Sequence, residues 1–349
     1  MTSVPRRAAT FNGTVRAVVY SGNRVYVGGD FTRARNRGRT VARRHVAAVS
    51  ARTGRLLRWN PRPNGPVLTI AVRRGRVYLG GDFSRVRGVR RRNLAKVTAS
   101  GRVVRRFRHA PNRQVSAMAI SGHTLYIGGN FGAVGNRDRD RLAAFNLRNN
   151  RIRRRWRPSV SGQVRALATG RRRVYVGGSF SRVNGRRGTK FLSAVGRARG
   201  HLVSPFHPSI DYRVLDLAVT KGGVFAAADG PGGNLRAFRL NGRDRWGLRT
   251  NGGVQAVTVL NHRVYFGGHF GSVCRVASRD PGRCRPRQRT RHKLAAATAH
   301  GRLVRWNPDA NSSLGVVAMD SAIGPARVAA GGAFTRVGGS PRRFFARFG

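Results

Sequence analysis

Proton transfer between side chains needs two carboxylates, or a carboxylate and a histidine, within hydrogen-bond reach. This chain of 349 residues carries 11 acids, all aspartate, and nine histidines. The aspartates (Asp30, Asp82, Asp138, Asp140, Asp211, Asp216, Asp229, Asp244, Asp280, Asp309 and Asp320) are scattered, and the histidines show no paired spacing. Asp138-Arg139-Asp140 has the form of a fragment of a cation site, but Arg137, Arg139 and Arg141 are its nearer partners. His269 follows a glycine pair at the place where Asp30 and Asp82 follow theirs, and polar residues there commonly cap turns. No nucleotide-binding glycine signature, zinc motif or nucleophile elbow occurs. The expectation is no catalytic residue, no metal and no cofactor, and more a binding protein than an enzyme.

Cys274 and Cys284 are the two cysteines, with nine residues between them, Pro281-Gly282 among these. A disulfide closing this loop is the preferred reading, with free thiols the alternative, and it implies an oxidising compartment. With His292 alone nearby the pair lacks a zinc ligand set.

Charge offers a different chemistry. The formal net charge is +59, from 70 basic and 11 acidic residues, and four of the bases are lysine. A codon bias toward G and C explains arginine over lysine but not the scarcity of acids. The functional reading is a surface for a polyanion, because the arginine fork binds phosphate or carboxylate bidentately and stays charged. The arginines concentrate in three stretches: Arg33, Arg35, Arg37, Arg39 and Arg43; Arg85, Arg87, Arg90, Arg91 and Arg92; and Arg275, Arg279, Arg283, Arg285, Arg287, Arg289 and Arg291. A further set, Arg153, Arg155 and Arg157, fits an outer rim, where charge guards a strand edge against pairing.

The elements that position these residues are repeated. Val25-Tyr-Val-Gly-Gly-Asp-Phe31 returns as Val77-Tyr-Leu-Gly-Gly-Asp-Phe83, Leu125-Tyr-Ile-Gly-Gly-Asn-Phe131 and Val174-Tyr-Val-Gly-Gly-Ser-Phe180. It returns again as Val264-Tyr-Phe-Gly-Gly-His-Phe270 and, more weakly, Val328-Ala-Ala-Gly-Gly-Ala-Phe334. The first four copies recur at a period of about 50 residues, within the range of propeller blades. Around each copy the chain reads as four short strands. A β-branched run such as Val15–Tyr20 comes first and the glycine-pair strand second. Third is Val46-Ala-Ala-Val49 or its counterparts, and fourth is Leu56-Leu-Arg-Trp-Asn-Pro61 or its counterparts. The glycine pair suggests a bulge or a close backbone approach. All four tryptophans, Trp59, Trp156, Trp246 and Trp306, fall in the fourth slot, a placement that suits packing. Residues 214–248 keep the strand order without the glycine pair. No helical periodicity runs over three turns.

The expected fold is all-β: a seven-bladed β-propeller of four-stranded antiparallel blades, one domain over residues 1–349. The blades fall at about 13–62, 63–112, 113–160, 161–210, 211–250, 251–310 and 311–349, with residues 8–12 supplying the missing last strand and closing the ring. The arginine-rich second-to-third connections then emerge on one face. The residues proposed to bind polyanion there are Arg33, Arg35, Arg37, Arg39, Arg85, Arg87, Arg90, Arg91, Arg275, Arg285, Arg287 and Arg289. The connections entering each first strand line the channel mouth, and Asn64, Gln114, Gln163, Asp211 and Asn311 are the candidates there. The N-terminus has no apolar run behind its basic residues and does not read as a signal peptide. No segment reaches transmembrane length.

The unit formed by Val25–Phe31, Thr53-Gly54, Trp59-Asn-Pro61 and Asn64-Gly65, with Trp306-Asn-Pro308, resembles the delta-60 repeat β-propeller family over residues 8–349. It is distantly similar to quinoprotein-like propellers. The insertion with Gly267-Gly-His-Phe270, Cys274 and Cys284 also looks like that family. The resemblance implies a bacterial, extracytoplasmic protein, secreted or at the cell surface, often joined to adhesive or polysaccharide-related modules and without a defined biochemical activity. Ser50, Thr98, Asn146 and Thr298 stand where the family usually carries aspartate after the third strand. For a quinone enzyme, acidic calcium ligands and a channel tryptophan would be expected, and the tryptophans sit on outer strands instead.

The resulting expectation is a monomeric, non-enzymatic scaffold whose arginine-rich face binds an anionic polymer or acidic protein partner. One alternative is a propeller enzyme on polysaccharide or a quinone-linked substrate, which requires Asp211 beside another aspartate and a histidine. The other is a nonspecific nucleic-acid binder, which requires exposed aromatics interleaved with arginine.

Overall fold

The structure, a computed structural model, describes residues 1–230, 232–275, 278, 284, 288–324 and 326–349. Every regular element among them is a β-strand. No helix among them is long and apolar enough to cross a membrane.

Valine, tyrosine and phenylalanine fill the strands, as expected for residues that suit a pleated, half-buried surface. In the first unit Val15–Ser21 pairs with Arg24–Gly29, which pairs with Val46–Ser50. The same antiparallel order recurs in Val67–Arg73, Arg76–Gly81 and Leu94–Thr98. It recurs in Val115–Ser121, Thr124–Gly129 and Leu142–Asn146, and in Gln163–Thr169, Arg173–Ser179 and Leu192–Gly196. Arg213–Thr220, Gly223–Asp229 and Asn234–Phe238 follow it too, with buried Ala227 and Ala228 in place of the glycine pair. So do Val254–Leu260, Arg263–Gly268 and Leu294–Thr298, then Val316–Ala322, Arg327–Gly332 and Phe345–Phe348. The first strands neighbour one another in chain order, and Val15–Ser21 also lies beside Val316–Ala322. No sheet among the described residues closes on itself.

Two features depart from the four-stranded expectation. Among the described residues a fourth strand joins two of these sheets, as Arg151–Ile152 and Asp244–Arg249. Elsewhere it shrinks to one bridge: Val49 with Leu56, Val97 with Val103, Val195 with Leu202, and Ala297 with Leu303. The difference does not follow the tryptophan: Trp156 and Trp246 stand in the two units that keep the strand, Trp59 and Trp306 in two that reduce it to a bridge. Residues 8–12 also behave differently from a last-sheet strand. Thr10–Phe11 pairs with Arg33–Asn36 in the first unit. Main-chain hydrogen bonding to the last strand falls earlier in the chain, where Arg6 N donates to Arg347 O at 2.8 Å, while Phe11 reaches that strand only through its ring, on Phe345. Leu57 N donates in the same way to Ala48 O, and Val304 N to Ala296 O.

Neighbouring sheets meet in a repeated way. A Cβ on Gly28 would sit 2.7 Å from Val67 Cγ1, on Gly80 2.8 Å from Val115 Cγ1, and on Gly177 2.6 Å from Val214 Cγ1. Gly331 stands in the same relation to Val15. The first glycine of each pair is therefore a close approach of one sheet to the next. Gly177→Ala is expected to cost about 1–3 kcal/mol through overpacking. Gly132→Ala, where a Cβ meets nothing within 4 Å, is the control. Chemical denaturation of both variants checks this; equal stability would remove the packing role.

The tryptophans add a polar tie. Trp59 Nε1 donates to Thr98 O at 3.1 Å, Trp156 to Gly196 O at 3.0 Å, and Trp246 to Ala299 O at 2.9 Å, each in the next sheet's unit. Trp306 donates to Thr2 O at 3.0 Å. Each buried indole thus gains a partner for its N–H, which would otherwise be costly to bury.

The arginine-bearing end and the central cavity

One end of the assembly collects both kinds of connection. The linkers between units bridge to the second-to-third connections: Pro63 with Val86, Pro111 with Val134, Val160 with Val183, Thr250 with Val273, and Ala310 with Val337. A short polar residue at the linker braces each contact: Ser161 Oγ beside Val160, accepting from Ser181 N and Arg182 N, and an asparagine at the others. Asn64 Oδ1 accepts from Ser84 N at 3.0 Å and Arg85 N at 2.8 Å. Asn12, Asn112, Asn251 and Asn311 do the same in their units. Asn64 and Asn311, expected at the channel mouth, brace turns and do not line the central cavity, but Asn64 lines an adjoining depression of about 640 Å³ that shares Asp82 and Gln114 with it.

The second-to-third connections are small hairpins. Arg33–Asn36 pairs with Arg39–Ala42, and Arg85–Val86 with Val89–Arg90. In the first, Ala34 is buried while Arg33 and Arg35 point outward, as strand alternation requires. Arg33, Arg35, Arg37, Arg39, Arg85, Arg87, Arg90, Arg275 and Arg289 are exposed. Among the described residues none of them has a carboxylate within ion-pair distance. Arg285 and Arg287 lie outside the described residues. Cys274 and Cys284 are disulfide-bonded, with Cα atoms 5.6 Å apart.

Arg91 is the correction within this set. It is 8% exposed, and its guanidinium donates to Arg90 O at 2.6 Å and Arg105 O at 2.9 Å. Arg43, Arg139, Arg291 and Arg342 occupy the same place, each reaching carbonyls of its own hairpin and of the segment beyond the third strand. For Arg342 that segment is the N-terminus, at Pro5 O. Burial lowers the pKa of all five. These arginines satisfy main-chain oxygens rather than face solvent. Sequence gives one hint of this: each stands two residues before the residue that starts the turn into the third strand.

A cavity of about 650 Å³ lies where the first strands converge. Every first strand carries a bulge near its start, between Val15 and Ala17 in the first unit and between Val164 and Ala166 in the fourth. The extra residue turns its side chain to the cavity, which brings in Arg16, Leu68, Ser116, Arg165, Leu215, Gln255 and Val317. Asp30, Asp82, Gln114 and Gln163 also line it. Arg16 clasps Asp30, with Nε at 2.9 and 2.8 Å from the two carboxylate oxygens. Arg213 pairs with Asp229. Burial and the repulsion of Arg213 lower the Arg165 pKa, against the pull of Asp229. Asp211 lies apart, exposed and paired with Lys190 at 3.1 Å. His269 Nε2 accepts from Gly253 N at 3.1 Å. No group of three or more metal-ligating side chains occurs among the described residues.

Two carboxyls that sequence reading passed over sit between first strands. Asp216 accepts from Leu217 N at 2.8 Å and from Val257 N, in the next unit, at 2.9 Å. Asp320 accepts from Tyr20 N at 2.7 Å, tying the last unit to the first. Burial pushes Asp216 up to about 7 and Asp320 up to about 6. An aspartate inside an apolar run, Val214-Leu-Asp-Leu-Ala218, was the available signal.

Radially packed sheets around a cavity make this a β-propeller. Residues 75–103 match a β-propeller domain of unknown function, DUF5122. The chain is similar to the WD40 β-propeller domain of Doa1, with a TM-score of 0.63 and 9% identity over 100% of this chain and 97% of that one. It is similar also to the computationally designed Ika8 protein, with a TM-score of 0.60 and 13% identity over 99% of both chains. No curated protein matches the chain. At these identities the likeness is one of fold.

Proposed function

We propose that this chain is a seven-bladed propeller of the delta-60 repeat kind, closed through its N-terminal segment, and that it serves as an extracytoplasmic scaffold whose arginine-bearing end binds anionic polymers. The observation that carries the reading is the exposure, on one end, of Arg33, Arg35, Arg37, Arg39, Arg85, Arg87 and Arg90 without ion-pair partners among the described residues. Guanidinium groups carried on short hairpins and without ion-pair partners among the described residues are free to pair with an anionic chain. Binding to polyanions then proceeds with release of counterions and weakens as salt rises. Closure is supported by the contacts of Val15 with Gly331, Tyr20 with Asp320 and Arg6 with Arg347. The disulfide fits an oxidising compartment.

The test is binding to DNA, RNA, an acidic polysaccharide, a teichoic-acid-like polymer and anionic vesicles across a salt series. One of these is expected to bind at near-physiological salt. Replacing Arg33, Arg35, Arg37 and Arg39 with Gln is expected to reduce the log–log salt slope by about 3. An unchanged slope would put the binding elsewhere.

A further inference from the structure

A cleft of about 410 Å³ opens at the junction of the first and second units, lined by Arg44, Arg62, Pro63, Asn64, Arg85, Arg87 and Gly88. A smaller depression of about 250 Å³ shares Arg44 and Arg62 with it. No acid lines either one. All four arginines are exposed, and Arg62 stands close enough to Arg43 to disfavour the latter's charge.

The other junctions show what the fold itself requires here. Arg87 N donates to Arg62 O at 3.3 Å. The same bond joins Gly338 to Asp309, Gly135 to Ala110, and Asn184 to Ser159. Those places hold small or short polar residues. At this junction both hold arginine, with φ of 53° at Arg62 and 49° at Arg87. Long side chains are uncommon in that left-handed region, and the hairpin turn at Arg87-Gly88 favours asparagine or aspartate first. Two arginines thus stand in a left-handed conformation, as Arg37 and Arg74 do elsewhere, beside Arg44 and Arg85.

We propose that this cleft is a site for a tetrahedral oxyanion, phosphate or sulfate. A carboxylate offers two oxygens along one edge. An anion whose oxygens point in several directions can take guanidinium donors from both units, since Arg44 and Arg62 line the cleft on one side of the junction and Arg85 and Arg87 on the other, with no acid among the lining residues. The site rests on the reading of this end as an anion surface and names the group that surface takes.

The experiment is calorimetric titration of the full chain, at near-physiological salt, with inorganic phosphate, sulfate, tripolyphosphate and acetate. The test variant is Arg62→Asp with Arg87→Gly, which installs the pair found at the Asp309–Gly338 junction and so keeps a backbone the fold already accepts. The control is Arg102→Asp with Arg106→Gly, the same change of charge at two exposed arginines elsewhere. One saturable site for phosphate, sulfate or tripolyphosphate is expected, weakened about tenfold or more in the test variant and little in the control. Equal losses in both variants, saturation by acetate, or no saturable site in the unaltered chain would each overturn the proposal. Polymer binding measured in parallel separates the two readings. If polymer binds while the small anions do not, the cleft fails and the arginine end stands. If the small anions saturate the cleft while no polymer binds, the cleft stands and the scaffold reading fails.

Discussion

Deletion of residues 1–12 is expected to destabilise the fold by on the order of 5 kcal/mol, or to prevent folding near physiological temperature. Phe11 is 3% exposed and packs on Phe31 and Phe345, with ring centroids at 4.4 and 6.1 Å. Losing a buried phenylalanine side chain costs roughly 3–5 kcal/mol. The deletion also strips the acceptor from Trp306 Nε1 at Thr2 O and from Arg342 at Pro5 O. Each buried donor left unmade adds roughly 1–3 kcal/mol. Arg347 would lose its N-terminal neighbour at the edge of the last sheet. Urea denaturation of the deletion and of Phe11→Ala alone checks the argument. A deletion no more harmful than Phe11→Ala would mean that the polar ties add nothing.

Stability is expected to rise as pH falls from 8 to 5, by on the order of 3 kcal/mol. Asp216 and Asp320 are pushed up to about 7 and about 6 in the folded chain, against 3.8 unfolded. Their carboxyls are enclosed between strands, although part of Asp216 faces the cavity. Between 3.8 and these raised values the folded chain holds protons that the unfolded chain has released, so stability is lost as pH climbs through that window. Above about 8 both states are ionised and the curve is flat. The arginines keep their charge throughout this range, so the background repulsion barely changes. Burial lowers His45 and His109 below their ordinary value of 6.5, so as pH falls past that value the unfolded chain takes up protons that the folded chain does not, and these two groups offset part of the rise. Asp216→Asn with Asp320→Asn should flatten the pH dependence of the melting temperature; a slope as steep as that of the parent chain would remove these two groups as its source.

The repeat in the sequence carried the architecture because a fold built of stacked units imposes the same steric demand at each junction. Gly28, Gly80 and Gly177 meet Val67, Val115 and Val214 in the same way, so the Gly-Gly signature is readable from any copy. The unit at 214–248 was legible without it, since strand order and apolar runs survived the change to Ala227-Ala228. The tryptophans were legible as packing residues from their common slot. Less legible was the strength of the fourth strand, because the tryptophan slot is filled both where the strand pairs and where it shrinks to a bridge.

The candidate site was legible in composition and only partly in position. Arg91 and its neighbours Arg90 and Arg92 are chemically alike in the sequence, yet the hairpin register buries the first and exposes the other two. Asn64 and Asn311 brace turns, and turn chemistry and ligand chemistry select the same side chains, so sequence alone does not separate the two roles. The cavity-facing residues arise from a bulge, which shifts one side chain per strand out of simple alternation.

By itself, the sequence determined the β-rich repeat, the order of strands within each unit and the overwhelming positive charge, because these rest on local propensity, periodicity and composition. Only the tertiary structure decided which arginines are spent on main-chain carbonyls and which stay free, that Asp216 and Asp320 staple neighbouring strands, and that Arg44, Arg62, Arg85 and Arg87 share one cleft. Those outcomes depend on which surfaces meet between units far apart in the chain, and burial and partner geometry exist only once they have met.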